Sequence, residues 1–446
     1  MADIMPFRGI LYNKEKAGDL SRLMAPPYDV ISETLQEELY QRHPENIVRL
    51  ILGKTYPGDT PENNRYTRAR ADFEEWRKNG VLARDKKPSV YYYIQDYILK
   101  DGAKKTRKGF IALSKLEEFG KGSIFPHEKT LSGPKIDRLN LMRACGANFC
   151  CVFSIYPESK KELARPVDIL DSAKGEDPLI DVTGDDGARN RLWRIDEPGV
   201  IKKVAELMKS KKLFIADGHH RYETALNYRK EMIESLENPT GTEPFNYIMM
   251  YFAGMDDEGL EIFPTHRIVH GIPGFSKVEF LGRCGQYFEI SEFPFGITGE
   301  PSARDEFLKK MSADARTETR FGVFINGGNS YYLLTLKGRH VTDALFSGMP
   351  DVYKTLDVTV LHSLILKSIL GIGEEGEEKQ ENLLYVKDIN EALKEGRGGK
   401  NQIVFLMNPT KVADVKRVSE AGLLMPQKST YFYPKLLSGL VINPLY

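Results

Sequence analysis

The run Lys211-Lys-Leu-Phe-Ile-Ala-Asp217-Gly-His-His-Arg221-Tyr-Glu-Thr-Ala-Leu226 leaves the chain little conformational choice. Leu213 to Ala216 is an apolar, strand-like tetrad, with lysines before it and Asp217 after it. Gly218 permits a sharp turn or a close approach of backbone to a ligand. Beyond it Tyr222, Ala225, Leu226 and Ile233 recur at helical spacing, which predicts a helix from about Arg221. Such a junction gathers free N–H groups and the positive end of a helix dipole at one point. His219, His220 and Arg221 add donors and charge there, and an arginine can grip a phosphate through two parallel bonds. Asp217 would repel a phosphate, so it points to a metal or a proton to be handled. The same residues could simply cap the helix. Four polar groups of these types within five positions favour a phosphate-binding, catalytic site over that plainer account.

The remaining pattern is that of a mixed α/β (α+β) protein. A chain of 446 residues exceeds one ordinary hydrophobic core, and its character changes near Gly271-Ile-Pro-Gly274, which predicts two domains, 1–270 and 271–446. Val90 to Leu99 and Arg107 to Leu113 read as a strand pair around an Asp101-Gly102 turn. Ser32 is a cap for a helix through Thr34 to Tyr40, and a charged helix is expected from Tyr66 to Lys78. Further strands are expected at Arg191 to Ile195, Tyr247 to Ala253 and Leu260 to Val269. Asp171 to Asp186, acidic and rich in Gly, reads as a surface connection. In the second half, strands at Arg320 to Ile325 and Tyr331 to Leu336 flank a Gly327-Gly328 turn. Val358 to Leu370 is an apolar helix with Asp357 at or near its cap and His362 either in its core or satisfied at the surface, followed by an acidic loop from Gly373 to Glu381.

Charge and cysteine usage narrow the functional classes. Lysine plus arginine balance aspartate plus glutamate, 63 against 63, where a protein that wraps duplex DNA carries a basic excess. Cys145, Cys150, Cys151 and Cys284 form no C-x-x-C pair, which argues against a disulfide framework or a structural zinc site. The opening residues carry no signal-peptide pattern, and no run of about 18 apolar residues occurs, so a cytoplasmic protein without membrane contact is expected.

Four further segments hold polar residues in unusual settings. His127-Glu128-Lys129-Thr130, with Gly133-Pro-Lys135 and Asp137-Arg138, reads either as a mobile loop closing over a phosphorylated ligand or as a solvated surface loop. In Ala25-Pro-Pro-Tyr28-Asp29 the prolines fix a turn, which orients Tyr28 and Asp29 for a ligand or serves structure alone. Pro264-Thr-His266-Arg267 ends a strand with three groups able to meet an anion. Met425 to Lys435 mixes hydroxyls, aromatics and two lysines and suits docking slightly better than substrate contact. A Walker A loop, a G-x-G-x-x-G after a strand, H-E-x-x-H and G-x-S-x-G are all missing.

These five segments together resemble a widespread prokaryotic family of unassigned function that is similar to the ParB chromosome-partitioning proteins. Asp217-Gly-His-His-Arg221 in particular is similar to a phosphate-binding motif shared by ParB N-terminal domains, sulfiredoxin and free-serine kinases. Its leading aspartate and paired histidines are nearest the kinases; ParB has two arginines where this chain has His220-Arg221. Sulfiredoxin's reactive cysteine has no counterpart between residues 213 and 225, and no DNA-reading helix-turn-helix follows. The resemblance implies a ParB/sulfiredoxin/serine-kinase-like phosphate-binding core elaborated by insertions, plus a C-terminal α/β domain. It implies a nucleotide-dependent phosphotransferase acting on a small hydroxylated metabolite, free L-serine first, with Mg2+ and ATP or ADP. Asp217, His219, His220 and Glu128 would be catalytic. Gly218, Arg221, Lys129, Thr130, Lys135, Arg138, His266 and Arg267 would hold nucleotide phosphates, and Tyr28, Asp29 and His127 the substrate. A phosphatase or nucleotidase and a ParB-like nucleotide-gated binding protein are the alternatives. Metal ligands are not assigned, nucleic acid is disfavoured as a partner, and oligomerisation is left open.

Overall fold

The computed structural model describes residues 2–130, 132–158, 162, 164–296, 298–313, 318–373 and 381–446. Most of the expected acidic loop, residues 374–380, lies outside them. Two compact units are present. The first comprises Met1–Pro126, Thr130–Glu261 and Phe432–Tyr446, and the second His127–Lys129 and Ile262–Tyr431. The change in composition near residue 271 therefore lies inside the second unit, and the last segment of the chain returns to the first.

Among the described residues the first unit is built on a nine-stranded mixed sheet. Its strands are β1 (Ile4–Met5), β2 (Val90–Ile98), β3 (Lys104–Lys115), β4 (Ile124–Phe125), β5 (Val152–Tyr156), β6 (Ile180–Thr183), β7 (Arg189–Ile195), β8 (Leu213–Asp217) and β9 (Tyr247–Gly254). They lie in the order β4-β8-β5-β9-β3-β2-β7-β6, with β1 beside β3. The β2–β3 hairpin turns at Gly102, whose φ of 85° suits glycine. Side chains alternate across the pleat, so Tyr92, Phe110 and Phe252 share one face and pack with Trp193, Val204, Met208 and Tyr222. The opposite face carries Tyr93, Gly109 and Tyr251. There the buried Arg107 donates to the carbonyls of Tyr433 (3.2 Å) and Pro434 (2.6 Å), anchoring the C-terminal segment. Burial on both faces explains why the central strands read as apolar runs instead of alternating ones. Gly109 is dictated by packing, since a Cβ there would sit 2.4 Å from the Phe252 carbonyl oxygen.

One sequence expectation changes here. The acidic stretch expected as a connection contains β6, because Ile180 and Val182 alternate with Asp181 and Thr183 and only the former pair is buried. Glu158, just past β5, is a buried acid. It is 8 % exposed, and burial pushes its carboxyl from the ordinary 4.5 up to about 7. An acid whose folded pKa is raised lowers stability as pH rises through that interval and costs nothing below it. Glu158→Gln is therefore expected to stabilise the protein by about 1–3 kcal/mol near pH 8 and by almost nothing near pH 4. Calorimetric melting at the two pH values checks this, and equal gains at both would refute it.

Among the described residues the second unit is built on a six-stranded antiparallel sheet of β10 (His266–His270), β11 (Phe288–Pro294), β12 (Arg320–Ile325), β13 (Ser330–Leu336), β14 (Leu383–Val386) and β15 (Asn401–Leu406). Their order is β11-β13-β12-β15-β10-β14. Phe307 and Met311 from the helix Glu300–Ser312 and Ala392 and Leu393 from the helix Ile389–Gly396 join Ile268, Tyr331 and Val404 in its core. A strand, Glu261–Phe263, ends just before Pro264 and His266 opens β10, so Pro264 to Arg267 runs from the end of one strand into the start of the next. The expected apolar helix starts as an α-helical turn, Asp357–Val360, and continues over Leu361–Ile369 as a π-helix. Among the described residues no helix is long and apolar enough to cross a membrane.

Candidate phosphate-binding site

The strand that leads into the site carries an irregularity. In the β8–β5 ladder Ile215 pairs with Ser154 but Asp217 pairs with Phe153, so Ala216 is an extra residue that re-aims Asp217. Gly218 follows with φ 89° and ψ 28°, and the helix α1 (His219–Glu234) starts at the very next residue. The start falls two residues before the one that apolar spacing indicated, because the spacing begins only at Tyr222 whereas the glycine turn sets the true origin. His219 and His220 thus occupy the first turn, where backbone N–H groups lack helical partners. Gly218 also has no room for a side chain: a Cβ would lie 2.9 Å from the Arg221 guanidinium carbon. Gly218→Ala is expected to cost about 1–2 kcal/mol from the left-handed backbone alone, and to displace Arg221 as well. A lowered melting temperature together with weakened phosphate binding checks both parts; an unchanged melt would show that the turn is not held as described.

Asp217 and Arg221 form the electrostatic centre. The Asp217 carboxylate accepts the Gly218 N–H at 2.9 Å and the Lys435 ammonium at 3.2 Å, and Arg221 stands 3.5 Å away. Lys435, Arg221 and His219 hold the carboxyl well below the usual carboxylate range in spite of its burial. Arg221 donates also to the Cys151 carbonyl, and Asp217 pushes its pKa upward. Tyr28 and Asp29 lie near enough to act on it electrostatically too. Arg221, Arg138, Tyr28, Cys150 and Thr224 line one small pocket, with Ile51, Leu141 and Met142 among its apolar walls. Within it the Arg138 guanidinium lies 4.0 Å from the Tyr28 ring centroid and donates to the Ile51 carbonyl (2.6 Å) and to Asp137 (2.8 Å). Burial pushes the Tyr28 hydroxyl up to about 12.

The structure sorts the other candidates into separate places. Gly133, Pro134 and Lys135, read above as part of a loop, belong to the helix Ser132–Cys145, where a proline in the first turn breaks no bond. Lys135 (2.8 Å) and Thr130 (2.9 Å) both donate to the Glu223 carboxylate. Asp217, Gly218, His219, His220, Arg221, Tyr28, Asp29, Thr130, Lys135 and Arg138 all lie in the first unit. His127, Glu128, Lys129, His266 and Arg267 lie in the second. There His127 Nε2 meets the Thr430 hydroxyl at 2.9 Å, Glu128 accepts the Lys428 N–H at 2.6 Å, and His266 Nδ1 accepts the Met407 N–H at 3.1 Å. Arg267, 1 % exposed, donates to the carbonyls of Thr265 and Lys428.

Lys435 and Glu223 are two charged partners in the first unit that were not among the candidates. Lys435 lies 218 positions from Asp217, and its only signal was a lysine in a polar, aromatic C-terminal segment. Glu223 stands two residues after Arg221, but a search for phosphate ligands passes over carboxylates. Among the described residues no group of three or more His, Cys, Asp or Glu side chains is arranged to hold a metal. The Asp217 oxygens already accept from Gly218 and Lys435, so the residues do not fit a protein-held Mg2+.

Residues 4–359 match a protein family described as a protein of unknown function (DUF1015). The chain belongs to the DUF1015 family. No curated protein matches it. Solved structures similar to this DUF1015 chain include a mutant free serine kinase in complex with ADP (12 % identity, TM-score 0.35, covering 70 % of this chain and 84 % of that one). Another is a free serine kinase in complex with AMP (12 % identity, TM-score 0.32, 70 % and 83 %). A third is a conserved hypothetical protein from Pyrococcus furiosus (13 % identity, TM-score 0.31, 70 % and 87 %). Likeness this distant leaves the function of the DUF1015 chain to be argued from its own residues.

Proposed function

We propose that this protein is a phosphotransferase that moves a phosphoryl group from a nucleotide to a small hydroxylated metabolite, with free L-serine the first acceptor to test. The observation that carries the reading is Arg221, seated one turn into a helix whose start is fixed by a left-handed glycine, and lining one pocket with Arg138 and Tyr28. Phosphoryl transfer asks the protein mainly for positioning and for positive charge around the moving group. The first-turn N–H groups and Arg221 supply that cradle, and Arg138 adds to its field. Asp217 is assigned the holding of Arg221 and not proton transfer, because a carboxyl kept so acidic is a weak base near neutral pH. His219 and His220 are the groups proposed to take the acceptor's proton, and Tyr28 and Asp29 to orient the acceptor. Mg2+ would arrive on the nucleotide's own phosphates.

Incubation of the purified protein with ATP or ADP, Mg2+ and L-serine, followed by phosphorus NMR, tests the reading. A new phosphomonoester, formed as the nucleotide loses its terminal phosphoryl group, is the expected result. No phosphorylated product with either nucleotide across a panel of small alcohols would overturn it. Inorganic phosphate released without an acceptor would make the protein a hydrolase using the same cradle.

A further inference from the structure

The second unit contains a cavity of about 450 Å³, a volume suited to a small organic ligand. Its walls are of two kinds. Phe346, Met349, Pro350 and Leu424 give it an apolar side. Four residues of the π-helix Leu361–Ile369, namely His362, Ser363, Lys367 and Ser368, together with Thr359 one turn earlier, give it a polar one. The lysines Lys129 and Lys367 are part of the lining, and among the described residues that line it none is a carboxylate. Thr359 is 6 % exposed, and its hydroxyl has no hydrogen-bond partner among the described residues. A buried hydroxyl left so costs stability unless something else bonds to it.

The backbone gives a second, independent sign. Nine consecutive π-helical residues are rare, and helices of this kind concentrate at functional sites. The wide turn shows in the bond from Leu370 N–H to the Ile365 carbonyl, five residues back, at 2.9 Å. The Ser368 hydroxyl likewise donates to the Ser363 carbonyl at 2.9 Å. Winding the segment this way brings His362, Ser363, Lys367 and Ser368 onto one wall, which ordinary helical spacing would spread over a wider arc. Arg267, 1 % exposed, has its guanidinium 5.4 Å from the ring of Tyr385, a residue of the lining.

We infer that this cavity is a binding site for a small organic anion with an apolar or aromatic body. The anionic head is recognised by Lys129 and Lys367 and the hydroxyls of Thr359 and Ser363, and the body lies against Phe346 and Met349. The inference does not depend on the phosphotransferase reading, since every residue in it belongs to the second unit.

Calorimetric titration of the full chain with phenyl phosphate, phenylacetate and neutral phenethyl alcohol tests it. At least one anion is expected to bind with Kd on the order of 0.1–1 mM, and the alcohol about tenfold more weakly or not at all. Whichever anion binds tighter identifies the head group as phosphate or carboxylate. Lys367→Gln should weaken anion binding about fivefold or more, and Ser363→Trp, which fills the cavity, should abolish it. Arg221→Lys should leave the part of the binding that depends on Lys367 unchanged, which separates this site from the phosphate cradle. Failure of both anions to bind, equal binding of the alcohol, insensitivity to Lys367→Gln and Ser363→Trp, or loss of the Lys367-dependent binding on Arg221→Lys would each overturn the inference.

Discussion

Replacing Arg221 by alanine should lower turnover with nucleotide and acceptor about 10²- to 10³-fold, the usual loss when one preorganised donor to a developing charge is removed. The argument starts from geometry. Its guanidinium is fixed at two points, by the Cys151 carbonyl and by Asp217, and it lines the pocket shared with Arg138 and Tyr28. A group held in place before the ligand arrives gives up little freedom on binding and can grip phosphate oxygens with two parallel bonds. Arg221→Lys isolates the fork from the charge, since lysine keeps the charge and loses the planar pair of donors; a drop of about tenfold or more is expected. Both variants need a folding control, because Arg221 also balances Asp217. The protein offers one: Trp76 and Trp193 are its only tryptophans, and both lie in the first unit, so their fluorescence in urea reports that unit alone. Folded Arg221→Ala protein with undiminished turnover would remove Arg221 from the chemistry and with it the phosphotransferase reading of this pocket.

How far the sequence discloses such a site depends on whether its parts are neighbours along the chain. The β2–β3 hairpin was legible because a run of tyrosines and isoleucines meets an Asp-Gly turn. The β8–α1 junction was legible because one glycine separates an apolar strand from a helical pattern. Its origin at His219 was not, since the first turn of a helix carries polar residues and leaves no periodic trace. β6 stayed hidden because two apolar residues alternating through an acidic stretch are too short a signal. Lys435 and Glu223 mark a deeper limit. The charge state of Asp217 is set by a lysine that the C-terminal segment brings to it, and Lys135 is neutralised by a carboxylate on α1. Neither pairing follows from spacing. Likewise Glu128 and His127 stand two and three residues from Thr130 in sequence, yet they fall in a different unit. Spacing therefore exposed the strand, glycine turn and helix that carry Arg221, whereas the partners that tune the charges there emerged only from the fold.

Asp217→Asn should destabilise the first unit by about 3–5 kcal/mol at neutral pH, the usual cost of removing one member of a buried ionic group. Asparagine nearly preserves the shape, so the loss is electrostatic. Arg221 and Lys435, whose side chains are 11 % and 12 % exposed, would face each other's charge with no anion between them. The pH dependence follows from the depressed carboxyl. Its folded pKa lies below the unfolded value of about 3.9, so its contribution is complete above that value and is lost as pH falls through the folded pKa. The gap between wild type and Asp217→Asn, read from tryptophan fluorescence in urea, should therefore be constant from about pH 7 to pH 5 and narrow only in strong acid. A second change sharpens the test. Lys435→Met in the Asp217→Asn background removes one of the stranded cations, so the double variant should be more stable than Asp217→Asn alone, a coupling of about 1–3 kcal/mol. If Asp217→Asn were as stable as the wild type, or if Lys435→Met made it still less stable, the carboxylate would not be what holds the two cations at this turn. The fixed position of Arg221, on which the cradle depends, would then need another cause.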